Sequence, residues 1–167
     1  MTALEALNAL KTFIEENVAS TILLQKESNT TEEPEMVHPY VALMVLPHKN
    51  FSPVAFQVPH ILIGFVNGTD GANDHPLQIQ MQFATFGGDV DEELNIPDSS
   101  GYIDLLNLIE RTKNALIQAT VINDCGVVDR PIMYGVYTEQ LTYPYWYGYM
   151  TFDLQIQNTL RQMKEFL

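Results

Sequence analysis

A chain of 167 residues with 21 acidic and 8 basic side chains carries a formal charge of −13. Its few Lys and Arg form no cluster, which argues against neutralising phosphates, and so against sequence-specific nucleic-acid binding or attachment to anionic lipid. The length fits one domain with a core large enough to need no staple, and Cys125, the single cysteine, excludes an intrachain disulfide. Charged residues are 17% of the chain, below the usual value of about 25%. Gln and Asn fill much of that gap, and uncharged polar surface is desolvated against a partner more cheaply than charge.

Thr2-Ala3-Leu4-Glu5 has capping-box spacing, and Leu4, Leu7, Leu10, Ile14 and Val18 follow at helical intervals. A helix over about residues 3–17 is expected. Thr21 to Leu24 is strand-like. Residues 26–36 are polar and aperiodic, the pattern of a flexible loop or arm. Val37 to Leu46 turns strand-like and ends at Pro47. His60 to Val66 is apolar on both alternating faces, with Ile61, Ile63 and Phe65 on one and Leu62 and Val66 on the other. That predicts a central strand covered on both sides. Asn67 to Gly71 supplies a turn.

The next strand alternates most clearly, with Leu77, Ile79, Met81 and Phe83 pointing one way and Gln78, Gln80 and Gln82 the other. An acidic loop, Gly87-Gly88-Asp89-Val90-Asp91-Glu92-Glu93, comes after it. Ser99 or Ser100 is placed to cap a helix reaching about Ala119, with Leu105, Leu108, Ile109 and Leu116 as its apolar stripe and Asp104 near its positive end. Asp124 to Gly126 ends that region. Pro131 to Glu139 reads as a strand, and Tyr143-Pro144 as a turn. The last strand turns Met150, Phe152, Leu154 and Ile156 inward and Thr151, Asp153, Gln155 and Gln157 outward. Asn158 to Leu167 reads as a short helix. The expected fold is therefore α+β, a single domain over 1–167 in which two main helices pack a largely antiparallel or mixed sheet.

Reactive constellations are thin. His38, His48, His60 and His75 are scattered, without helical ligand spacing or a Cys-x-x-Cys, so no metal or cofactor site is expected. Asp70, Asp74 and His75 read as a solvated hairpin tip. The acidic loop lacks EF-hand spacing and reads as solvated charge. Cys125 sits in a loop-like run without a His partner and reads as an idle thiol. No nucleophile elbow, phosphate-binding loop or dinucleotide fingerprint occurs, so no enzyme is expected. No basic-then-apolar leader and no apolar run of ~18–20 residues is present, so a soluble protein made inside the cell is expected. The unusual feature is aromatic. Tyr143-Pro144-Tyr145-Trp146-Tyr147-Gly148-Tyr149 sends Trp146 to one face and Tyr145, Tyr147 and Tyr149 to the other. The tyrosine face suits a contact between subunits, a cover for a helix, or a sugar-stacking platform.

Three segments carry a resemblance: Val58-Pro59-His60-Ile61-Leu62-Ile63, then Gly101-Tyr102-Ile103-Asp104-Leu105-Leu106-Asn107-Leu108-Ile109-Glu110-Arg111, then Tyr143-Pro144-Tyr145-Trp146-Tyr147-Gly148. In this order they resemble the tail-terminator, or tail-completion, proteins of long-tailed phages of Gram-positive bacteria, over roughly residues 37–157. The polar arm and the long Pro47–Pro59 connection are departures expected to be specific to this protein.

The resemblance implies an α+β virion subunit that forms a ring, expected to be hexameric. The ring caps the head-proximal end of the tail tube, stops its growth, and joins the major tail tube protein to the head–tail connector. It brings no catalytic residues. The alternatives are a head-completion or stopper protein of the connector and, from another class, a carbohydrate-binding module. In a ring, Gln78, Gln80, Gln82, Gln155 and Gln157, with the three outward tyrosines, are the expected contact residues, or else the glutamines face water. Six copies would carry a charge of about −80, and Asp89, Asp91, Glu92 and Glu93 are expected to rim the channel, so that DNA passes without sticking.

Overall fold

The computed structural model describes residues 2–28, 34–48, 50–87, 90–91, 96–97, 99–139 and 142–156. Thr2 opens helix α1 (Ala3–Asn17) as its spacing predicts. Its hydroxyl accepts from the Glu5 N–H at 3.2 Å, while the Glu5 carboxylate accepts from the Thr2 N–H at 2.6 Å. Two N–H groups with no partner inside the helix are thereby satisfied. Ala6, Leu7, Leu10, Phe13 and Ile14 form its buried stripe. The strand-like Thr21–Leu24 run divides into a 3-10 turn at Ala19–Thr21 and a short strand β1 (Leu24–Gln25).

β1 pairs antiparallel with β2 (Met36–Val37), and the Lys26 N–H donates to the Glu35 carbonyl, so the two ends of the expected arm are tied together. Residues 29–33 between them lie outside the described residues. The predicted Val37–Leu46 strand is interrupted by His38-Pro39 and continues as β3 (Tyr40–Leu43). It ends where Met44 takes a φ of 65°.

The main sheet contains β3, β4 (His60–Gly68), β5 (Pro76–Phe86), β10 (Tyr145–Ile156), β9 (Gly126–Val136) and β8 (Val121–Ile122), in that spatial order. The β3–β4 pair is parallel and every other pair antiparallel. Between β5 and helix α2 (Ser100–Ala119) lies a separate small hairpin, β6 (Val90–Asp91) with β7 (Ile96–Pro97). The fold is α+β, as the element order predicts.

Both helices lie on one face of the main sheet, α1 against β3, β4 and β8, and α2 against β10, β5 and β9. Rows of in-register side chains form the core between them, with Ile63, Met81 and Met150 as one row and Ile79 and Phe152 in the next. Leu105, Leu108, Ile109 and Leu116 close it from α2. The period-two pattern of β5 and β10 is thus read correctly, and so is the apolar stripe of α2.

Four expectations need correction. β4 is not covered on both sides: Ile61 and Ile63 are fully buried on the helix side, while Leu62 on the opposite face is half-buried. Beyond Ile63, where β3 stops and β4 runs on to Gly68, both faces open, with Phe65 38% and Val66 47% exposed. Ser99 occupies the N-cap position of α2, but its side chain makes no capping hydrogen bond. The expected stop at Asp124–Gly126 falls on a hairpin turn, residues 123–125, that joins β8 to β9, with Asn123 and Asp124 at φ 44° and 58° and the Cys125 N–H donating to the Ile122 carbonyl. Finally, the penultimate strand starts at Gly126, five residues before Pro131. The register against β10 shifts where Pro131 lies, because proline has no N–H to offer the ladder. The terminal helix expected over 158–167 lies outside the described residues.

Candidate interaction face

The sheet face opposite the helices collects most of the residues singled out from the sequence. Cross-strand pairing sets Gln82 opposite both Leu62 and Tyr149, Gln80 opposite Gly64 and Thr151, and Gln78 opposite Asn67 and Asp153. Tyr147 and Tyr145 continue the same face past Ala84 and Phe86. Gln155 lies beyond Asp153 on the face that alternation assigns. Eight expected contact residues therefore reduce to seven on one surface, since Gln157 lies outside the described residues.

These seven are not equivalent. The Tyr145 hydroxyl donates to Glu27 at 3.0 Å, and its ring meets Phe86 edge-on, at 5.3 Å between centroids. Burial first, then the hydrogen bond to Glu27 and that carboxylate's charge, push its phenol up to about 12. Gln78 accepts from Asn67 at 2.9 Å. Gln155 donates to Asp129 at 2.8 Å and accepts from the His75 N–H at 3.0 Å. These three side chains are spoken for inside the subunit. Gln80, Gln82, Tyr147 and Tyr149 make no side-chain hydrogen bond among the described residues, and they form the free centre of the face. Tyr149 also stacks at a tilt on Tyr137, with centroids 5.2 Å apart.

Two hollows indent this centre. One, of about 190 Å³, is lined by Met44, Leu62, Gly64, Phe65, Gln80 and Gln82. The larger, of about 690 Å³, lies between Leu62, Gln82 and Tyr147 on one side and Tyr137, Glu139 and Thr142 on the other. His60 also lines it. Burial lowers the His60 pKa, against the raising effect of the Gln57 carbonyl and the Glu27 charge, so the ring is neutral at pH 7. Its Nδ1 lies 2.7 Å from the Gln57 carbonyl, which only accepts, so Nδ1 carries the proton and Nε2 is left as an acceptor.

Trp146 turns to the helix side, as alternation predicts, and packs on Tyr102 and Tyr143. Leu62, which alternation does place on the second face of β4, and Tyr137, just past the end of β9, are not among the expected contact residues. Asp91 lies in β6, while Asp89, Glu92 and Glu93 lie outside the described residues.

Cys125 is buried, and that burial raises its thiol pKa, the opposite of what a nucleophile needs. His75 and Asp70 pair at 2.8 Å at the hairpin tip. No group of three or more His, Cys, Asp or Glu among the described residues is gathered around a common point. No helix among them is long and apolar enough to cross a membrane. No protein-family model and no curated protein matches this chain.

Proposed function

We propose that this protein is a non-catalytic structural subunit of a phage tail, a tail terminator whose copies form a ring on the head-proximal end of the tail tube and join it to the connector. The observation that carries the reading is the uncovered sheet face, where Gln80, Gln82, Tyr147 and Tyr149 keep their hydrogen-bonding groups unspent. A face made of amides and phenols costs little to desolvate and offers Tyr, a residue that interfaces enrich, at its centre. The likeness of the β4, α2 and β10 segments to tail-terminator proteins supplies the setting. Charge supports it too: a subunit of net charge −13 repels the DNA that must pass through such a ring.

Electron microscopy of the purified protein, alone and mixed with purified tails, tests the proposal. Rings that seat on one end of the tails are expected, and lysates lacking the protein should contain overlong tubes without heads. Binding to DNA-filled heads and not to tails would make it a connector stopper. A protein that stays monomeric and binds neither would end the reading.

A further inference from the structure

Among the described residues the main sheet has two partly open edges, beside β9 and beside β4, each with an apolar open stretch. On the β9 side, β8 pairs only with Gly126 and Val127. The Tyr137 N–H turns inward to the Tyr147 carbonyl, so strand alternation leaves the N–H and C=O of Tyr134 and Val136 pointing away from the sheet. On the β4 side, the last bond from β3 reaches the Ile63 carbonyl, donated by the Met44 N–H, and Phe65, paired with Ile79 of β5, has no strand on its outer side among the described residues.

Large apolar side chains sit at both edges: Met133 is 62% and Tyr134 46% exposed at one, and Met44 57% and Val66 47% exposed at the other. Ile132 to Val136 contains no charge, and neither does Gly64 to Val66. Open edges that stay unpaired are normally blunted by charge, because they recruit other strands. Within 64–66 and 132–136 no such charge occurs, and the Pro131 irregularity of β9 stands only at the end of the second stretch. The β9 edge is also held ready, since Lys113 lies 4.8 Å above the Tyr134 ring and bonds its hydroxyl at 3.4 Å.

We infer that the β9 edge of one copy pairs with the β4 edge of the next, so that neighbouring subunits share one continuous sheet. The occupant of each edge is a second copy of this chain, and the inference rests on the ring reading above. Strand directions support it. Successive antiparallel pairs from β4 through β5 and β10 to β9 leave β4 and β9 running in opposite senses. A copy in the same orientation, slid along the strands, therefore meets its neighbour in antiparallel pairing with the helix faces aligned. The slide is needed because Ile63, Met81, Met150 and Tyr134 share one level, with the open stretch 64–66 to one side of it and 135–136 to the other; a ring closed through such steps has its strands tilted to its axis. The contact joins two different surfaces, which is what a head-to-tail ring requires.

The test uses the full chain with one charge at each edge, Val66→Lys or Met133→Lys, both at exposed positions that a monomer tolerates. Sedimentation should show each variant monomeric at about ten times the concentration at which the unchanged chain assembles, equivalent to a tenfold weaker junction. Mixed in equal amounts, the two variants should give dimers and nothing larger, because each pair has only one intact junction. The Tyr134 and Val136 amides should exchange hydrogen about tenfold more slowly in the assembly than in either variant. If the unchanged chain forms rings and both variants assemble equally well, edge pairing is wrong while the ring reading stands. Full-size rings from the mixture also refute the head-to-tail arrangement. An unchanged chain that never assembles overturns both.

Discussion

Tyr145 is drawn off the open face by a residue far from it in sequence. One oxygen of Glu27 accepts from its hydroxyl and the other from the Gln57 N–H at 2.8 Å. A hydrogen bond to a charged acceptor contributes about 1.5–3 kcal/mol where buried, and at this half-exposed site solvent screening brings it down. Tyr145→Phe should therefore cost about 1 kcal/mol in urea denaturation. The pH dependence follows from the phenol standing at about 12 in the folded chain, against an ordinary value of about 10. Its contribution is complete below pH 10, because both states then hold the proton. It fades between pH 10 and 12, where the unfolded chain loses the proton first. The variant should lose less stability than the unchanged chain over that window. Equal alkaline slopes for the two proteins would remove the assigned role. Alternation alone places Tyr145 on the correct face, but no local pattern reveals a partner 118 residues away.

At the scale of elements, the start of α2 is set by packing more than by capping. The Ser99 side chain does not cap it. Instead, the Thr85 hydroxyl donates to the Gly101 carbonyl at 2.6 Å, and Gly101 lies directly against the Trp146 indole. A Cβ at Gly101 would collide with that indole and come within 2.8 Å of the Gly87 nitrogen. Ala is the better helix former by about 1 kcal/mol, yet overpacking of this kind costs about 1–3 kcal/mol. Gly101→Ala should therefore lower the urea midpoint despite its helix preference, and a raised midpoint would show that the junction is loose.

The same region marks how far the sequence could be read. α1, β5, β10 and the stripe of α2 are legible because each carries its own period. β8 was missed because two residues show no period, and the first half of β9 because Pro131 breaks the pattern where the strand continues. The incomplete cover of β4 was missed because burial depends on which face the helices take and on where a neighbouring strand stops. The open face was half legible. The outward Gln and Tyr positions follow from alternation, but which of them are already engaged depends on Asn67, Asp129 and Glu27, all on other elements.

For the whole molecule, charge and surface pull in opposite directions. Each copy carries −13, so bringing copies together builds repulsion that only short-range contacts offset. The free centre of the proposed contact face, Gln80, Gln82, Tyr147 and Tyr149, is uncharged, and so are the edge segments 64–66 and 132–136. Their association should gain nothing from ion pairing and lose nothing to its screening. Salt then acts mainly on the repulsion, because the screening length shrinks from about 10 Å at 0.1 M to about 3 Å at 1 M. Assembly should strengthen as sodium chloride rises over that range, with the concentration needed for half-assembly falling about threefold to tenfold, a gain near 1 kcal/mol per junction. Sedimentation across a dilution series at each salt concentration measures this directly. An assembly that loosens as salt rises would show that copies are held by opposite charges, and the neutral face and edges could not then be the surfaces that join them.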